Sequence, residues 1–140
     1  MLDILSKHYK MNGHFFFMPD KNLAEVCNAP TDKGGIYIVY ALKSGKIMPV
    51  YIGSSGEVLD NEIKIRNGGI WDRIVNGLHL YSKMPAKKAF PKRMLEESIE
   101  ALDIYWFVTL DPTNKKLNDD PNSVKRELIK IFGSKPAWHK

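Results

Sequence analysis

Cysteine is nearly absent. The one thiol among 140 residues is Cys27, so an intrachain disulfide and a cysteine-based zinc site are excluded. Long apolar runs are missing: none approaches the roughly 20 residues that a membrane span needs. The opening residues, Met1-Leu2-Asp3-Ile4-Leu5-Ser6-Lys7-His8, lack the basic-then-apolar layout of a signal peptide. A cytoplasmic protein with no membrane partner is the expectation. There is no internal repeat, no low-complexity tract and no separating linker, so residues 1–140 read as a single domain. Hydrophobic residues at 44% suffice for one core. Acid is missing over one stretch. Between Arg73 and Leu95 there is no Asp or Glu, while Lys83, Lys87, Lys88, Lys92 and Arg93 occur there with His79 and Tyr81 among them. With a net charge of +5, such a run can follow a phosphate backbone. It reads equally as a solvated loop and helix face.

What is present is organised around Gly35 to Gly53. Gly35-Ile36-Tyr37-Ile38-Val39-Tyr40-Ala41-Leu42 and Val50-Tyr51-Ile52-Gly53 are rich in β-branched and aromatic residues, and a short polar segment with Gly45 separates them. This is a β-hairpin signal. Pro49 requires an edge or a strand start. Gly35 and Gly53 suit close backbone approach, and they do not form a nucleotide-cradling loop.

Residues 1–33 read as an N-terminal extension. Within it, 14–19 fit an extra strand or an aromatic flap, and Asp20 fits a helix cap. His8 and His14 stand alone and read as surface or packing residues. After the hairpin, Ser54 to Gly69 is a long polar segment, the kind that is usually functional. Ile70 and Ile74 predict a short helix stopped by Gly77, with Arg73 beside the buried stripe. Pro91 is expected at the first position of another helix. Ile104 to Leu110 predicts a central strand, and Asp120-Pro121 predicts the capped start of a last helix facing inward with Val124, Leu128, Ile131 and Phe132. The expected fold is α+β, a three-stranded, mainly antiparallel sheet flanked by helices, carried by residues 34–140.

Gly35-Ile36-Tyr37 and Tyr51-Ile52-Gly53 resemble the paired signature of the GIY-YIG nuclease superfamily. The element order from Gly34 to His139 is similar to that family's core. Arg73 in Trp71-Asp72-Arg73-Ile74 matches the family Arg on the first helix after the hairpin. Glu127-Leu128-Ile129-Lys130-Ile131-Phe132 matches the late helix that carries a single Glu, and Pro136-Ala137-Trp138-His139 matches a family ending except at its last residue. Three features depart from the pattern. Residues 54–69 form an insertion. Gly77 stands where a His or Tyr commonly follows the Arg, with His79 and Tyr81 nearest. His139 replaces the usual Asn.

The resemblance implies a metal-dependent endonuclease hydrolysing phosphodiester bonds in DNA, similar to compact restriction-type members. Tyr37, Tyr51, Arg73, His79 and Glu127 would be the catalytic set, Glu127 would hold Mg²⁺ (or Mn²⁺), and Lys83, Lys87, Lys88, Lys92 and Arg93 would bind nucleic acid. Arg73 can present a planar fork to phosphate. A phenol with a pKa near 10 needs a nearby cation to act as a base, and which Tyr would do so stays open. His79 is a candidate for proton transfer. Each residue also has an ordinary role: strand aromatics for the tyrosines, a stem packed over Trp71 or Leu78 for Arg73, a surface position for His79, an exposed helix position for Glu127. A non-catalytic nucleic-acid-binding module retaining the fold is the alternative. A protein-interaction domain would instead show an exposed apolar patch.

Overall fold

The computed structural model describes residues 1–79, 83–114, 117–133 and 136–138; Tyr81 and His139 lie outside the described residues. The hairpin forms from β2 (Gly34–Lys43) and β3 (Lys46–Ser55), paired antiparallel. It turns at Ser44 and Gly45, both at positive φ, as a two-residue turn matched to strand twist demands. Val39 pairs with Tyr51 but Tyr40 pairs with Pro49, so Val50 is an extra residue. This bulge, and the edge position of β3, accommodate Pro49.

β6 (Ala101–Leu110) pairs antiparallel with the other side of β2, and β1 (Asn12–Phe17) pairs antiparallel with β6. The sheet order is β1-β6-β2-β3. The α+β class holds, but the sheet has four antiparallel strands, where three were expected. Phe15 and Phe17 are buried opposite Ile104 and Leu102, while Phe16 faces outward. The extension thus closes the sheet edge with its own alternating strand.

Helices cover both faces. On one lie α2 (Leu23–Val26), α3 (Gly69–Asn76) and α4 (Ala86–Glu97), packed on Tyr37, Val39, Ile104 and Trp106 through Leu23, Ile70, Ile74, Phe90 and Met94. On the other lie α1 (Leu2–His8) and α5 (Pro121–Phe132), packed on Ile36, Ile38, Ile52 and Phe107 through Leu5 and Leu128. Alternation along β2 assigns odd positions to the first core and even positions to the second.

Four local expectations change. Ile131 of α5, expected to face inward, is 67% exposed. The cap of α2 is Asn22, whose side chain accepts from the Ala24 N–H at 3.0 Å, and not Asp20. Helix α4 begins at Ala86, so Pro91 is interior and leaves the Lys87 carbonyl without its helical donor. Residues 54–69, expected as one long polar segment, hold two short strands: β4 (Glu57–Leu59) and β5 (Glu62–Lys64) form a second small hairpin. Its turn residues, Asp60 and Asn61, adopt the left-handed conformation these residue types tolerate. The Asp120 cap of α5 is as expected, and its carboxylate also accepts from the Val58 N–H at 2.9 Å, tying the small hairpin to the helix. Among the described residues no helix is long and apolar enough to cross a membrane.

Candidate active site

Tyr37 pairs across the hairpin with Gly53, and Tyr51 lies two residues before that glycine, so both phenols rise from one face as diagonal neighbours. Their ring centroids are 6.1 Å apart. A Cβ on Gly53 would collide with Cζ and the hydroxyl of Tyr37; the ring lies on bare backbone that only glycine leaves open. Helix α3 crosses the same face. Ile70 and Ile74 are fully buried, which aims Arg73, one position before Ile74, along the sheet toward the tyrosines.

His79 completes the group. It follows the end of α3 at Gly77 and is 2% exposed. Its Nδ1 donates to the Gly77 carbonyl at 2.8 Å, which assigns the proton to Nδ1 and leaves the lone pair on Nε2. That lone pair faces the Tyr37 hydroxyl at 2.5 Å and Arg73 Nη1 at 3.0 Å. The other arm of the guanidinium, Nη2, donates to the Tyr51 hydroxyl at 3.3 Å. Phe90 closes the imidazole from α4, with ring centroids 4.9 Å apart.

The electrostatics follow from burial. His79 is pushed down to about 3, first by burial, then by the Arg73 guanidinium and by Arg66, against the opposing pull of the Gly77 carbonyl. It is a neutral imidazole at neutral pH. Tyr37 is pushed up, because burial outweighs Arg73 and Arg66. Arg73 alone therefore does not make this phenol acidic: Tyr37 is a neutral donor to Nε2. Tyr37 and His79 are buried, while Tyr51 and Arg73 are half-buried on the side toward solvent.

Glu127 is not brought to this group. Its carboxylate is 69% exposed, pairs with Lys130 at 3.2 Å and lines a groove with Leu5 and Tyr9 of α1. The residue of α5 that feels the Arg73 charge is Lys125. Two positions along a helix turn the side chain by about 200°, so Glu127 and Lys125 leave the helix on opposite flanks, with the core stripe of Val124 and Leu128 between them. Mg²⁺ (or Mn²⁺) takes anionic oxygen ligands. Tyr37, Arg73 and His79 bond to no carboxylate among the described residues, and the fixed charges that act on Tyr37 and His79 are those of Arg73 and Arg66. Tyr37, Arg73 and His79 thus bring no anionic oxygen for such an ion among the described residues, and the Glu127 carboxylate, expected as its ligand, is exposed on the other flank of α5.

Lys83, Lys87, Lys88 and Lys92 are exposed beside or on α4. Arg93 differs: it bonds to Glu97 one turn on and its guanidinium lies 5.8 Å over the Trp138 ring, so its charge is already engaged. One residue escaped the sequence reading. Arg66 reaches from the insertion, bonding to Asp72 at 2.8 Å while acting on both Tyr37 and His79. No family model, no curated protein and no solved structure matches the chain.

Proposed function

We propose that the chain is a nuclease of the GIY-YIG kind, hydrolysing phosphodiester bonds in DNA at Tyr37, Tyr51, Arg73 and His79. The observation that carries this reading is the convergence of a guanidinium with no acid partner among the described residues, two phenols and a neutral imidazole at one half-buried point. A buried cation without an acid is costly, and a phosphodiester anion would supply the missing charge. Arg73 offers that anion a planar fork. Hydrolysis joins the oxygen of water to phosphorus and breaks one phosphorus–oxygen bond, so the site must take one proton from water and return one to the leaving oxygen. The base with a free lone pair is His79 Nε2, reached through the Tyr37 hydroxyl: Tyr37 gives its proton to Nε2 and receives the water's. Water enters over Tyr51 and Arg73. A bound anion offsets the Arg73 charge that depresses His79, so the imidazole becomes a stronger base only when substrate is present.

The test is cleavage of supercoiled plasmid, with end-labelled single-stranded DNA and RNA in parallel. Wild type is expected to nick plasmid, and Arg73→Ala to lose at least about 100-fold in rate, the scale of one removed charge-stabilising donor. Equal rates for the two proteins would remove Arg73 from the chemistry. Wild type inactive on every substrate would overturn the reading.

A further inference from the structure

On the sheet face opposite the Tyr37 ring, α1 and α5 border a groove of about 490 Å³. Leu5 and Leu128 are buried against the sheet and form its floor with Tyr9, whose hydroxyl is turned to Asp119 Oδ2 at 2.7 Å. Ile4 of α1 and Ile131 of α5 line it too, and they are 72% and 67% exposed. One exposed isoleucine is ordinary, but two that share a groove carry its apolar floor out to solvent. The charges along the groove have one sign. Asp119, Asp120 and Glu127 line it, with His8 beside Asp119, and no lysine or arginine does so among the described residues. On a chain of net charge +5 this is a local reversal. Asp120 is engaged by the Ser123 and Val58 N–H groups. Asp119 accepts from Tyr9 through Oδ2, and no bond reaches its Oδ1 among the described residues. Glu127 pairs through Oε1 with Lys130, an exposed pair of the kind that contributes little. Asp119 lies just ahead of the α5 cap, and Glu127 lies about two turns, roughly 10 Å, along the helix.

We propose that this groove docks a cationic amphipathic helix of a partner protein. Its aliphatic stripe fills the space between Ile4 and Ile131, and lysines or arginines two turns apart on it pair with Asp119 and Glu127. The proposal goes beyond the hydrolase reading and does not depend on it. Two helices with an apolar gap between them accept a third by packing ridges into the groove. Apolar burial supplies the affinity, and the acids choose the partner. They repel phosphate, so a nucleic acid or an anionic lipid surface is turned away, as is an acidic helix. The net positive charge of the rest of the molecule repels a cationic helix, so the acid-lined groove is where such a helix is drawn. Glu127 then has a use that its place in the sequence pattern does not suggest: its exposed carboxylate meets a partner, and not the tyrosine site. With the groove and Tyr37 on opposite faces, partner and substrate can be held at once.

The probe is a fluorescein-labelled helical peptide of about five turns built from leucine and lysine, with leucine at i, i+3, i+4 and i+7. It is titrated with the whole chain and read by fluorescence anisotropy. One control peptide replaces every lysine with glutamate, and the other replaces every leucine with serine. The leucine–lysine peptide is expected to bind at least about 10-fold tighter than either control. Ile131→Asp is expected to weaken it at least about 10-fold, the scale of one buried aliphatic side chain. Glu127→Lys is expected to weaken it about 5-fold, the scale of a rim charge. Ile47→Asp, at a residue equally exposed on β3, is expected to bind as wild type does. Should Ile131→Asp fail to fold, Ile4→Asp replaces it with the same expectation. A glutamate peptide bound as tightly as the lysine peptide overturns the proposal. So does wild-type binding by Ile131→Asp, or an equal loss in Ile47→Asp. Self-association of the chain in sedimentation velocity that Ile131→Asp abolishes overturns it as well, because the occupant is then a second copy. No nucleic acid enters these measurements, so their failure leaves the hydrolase reading standing.

Discussion

Tyr37 owes its position to a residue with no side chain. Gly53 lets the ring lie on backbone, and the ring then holds its hydroxyl against His79. Gly53→Ala would drive Cβ into that ring. The expected cost is about 1–3 kcal/mol of stability, as for other overpacked cores, with loss of the Tyr37–His79 bond; an unchanged denaturant midpoint would show that the ring can yield freely. His79 makes a second prediction. Its folded pKa, about 3, lies below its unfolded value of about 6.5. Above pH 6.5 both states are neutral. As pH falls from 6.5 toward 3, the unfolded chain takes up a proton that the folded chain refuses, so stability is lost over that window by up to about 1.4 kcal/mol per pH unit. His79→Gln, which does not titrate, is expected to flatten the curve there in denaturant unfolding at stepped pH. Parallel curves for the two proteins would mean that His79 charges freely in the fold. The tyrosines, Arg73 and His79 were legible because their residue types and order are unusual for a plain strand and helix. The place of Glu127 was not, because a motif names a helix residue without saying which way it points.

The paired strands β2, β3 and β6 could be read from β-branched and aromatic runs, since a buried strand needs those residues wherever it lies. The strand β1 could not be separated from a flap, because only its partner β6 decides that. The small hairpin β4–β5 was hidden for the opposite reason: its strands are three residues long and largely polar, and a capping carboxylate ties it to the fold. Asp120 both caps α5 through the Ser123 N–H and accepts from Val58. Asp120→Ala is expected to cost about 1 kcal/mol for the cap and to release the hairpin, read as faster amide exchange at Val58 than at the core residue Ile38. Unchanged exchange at Val58 would show that the hairpin holds itself. Pro91 misled for a physical reason too. Proline favours a helix start, but Ala86 to Phe90 carry good helix formers and bury Ala86, Ala89 and Phe90, and that packing extends α4 one turn and more ahead of the proline.

With a net charge of +5 and an acid-free stretch ending in α4, the molecule has a basic side that would steer an anionic polymer. Lys83, Lys87, Lys88 and Lys92 are exposed, while Arg93 is held by Glu97 and Trp138. Replacing the four lysines with alanine is expected to flatten the log–log salt dependence of duplex binding by about 0.9 for each phosphate no longer neutralised; Arg93→Ala should lower stability and leave the slope alone. An unchanged slope in the four-lysine variant would make the run a solvated face. The account as a whole stands on the junction of Tyr37, His79, Arg73 and Tyr51 being a hydrolytic centre and not a packing arrangement, and Tyr37→Phe tests that most directly. The substitution keeps the ring on Gly53 and removes one hydroxyl. In a plasmid nicking assay at equal protein, with thermal midpoints measured alongside, the variant should stay folded and cleave at least about 100-fold more slowly, the loss expected of a broken proton relay. Folded Tyr37→Phe protein that nicks plasmid as fast as wild type would contradict it.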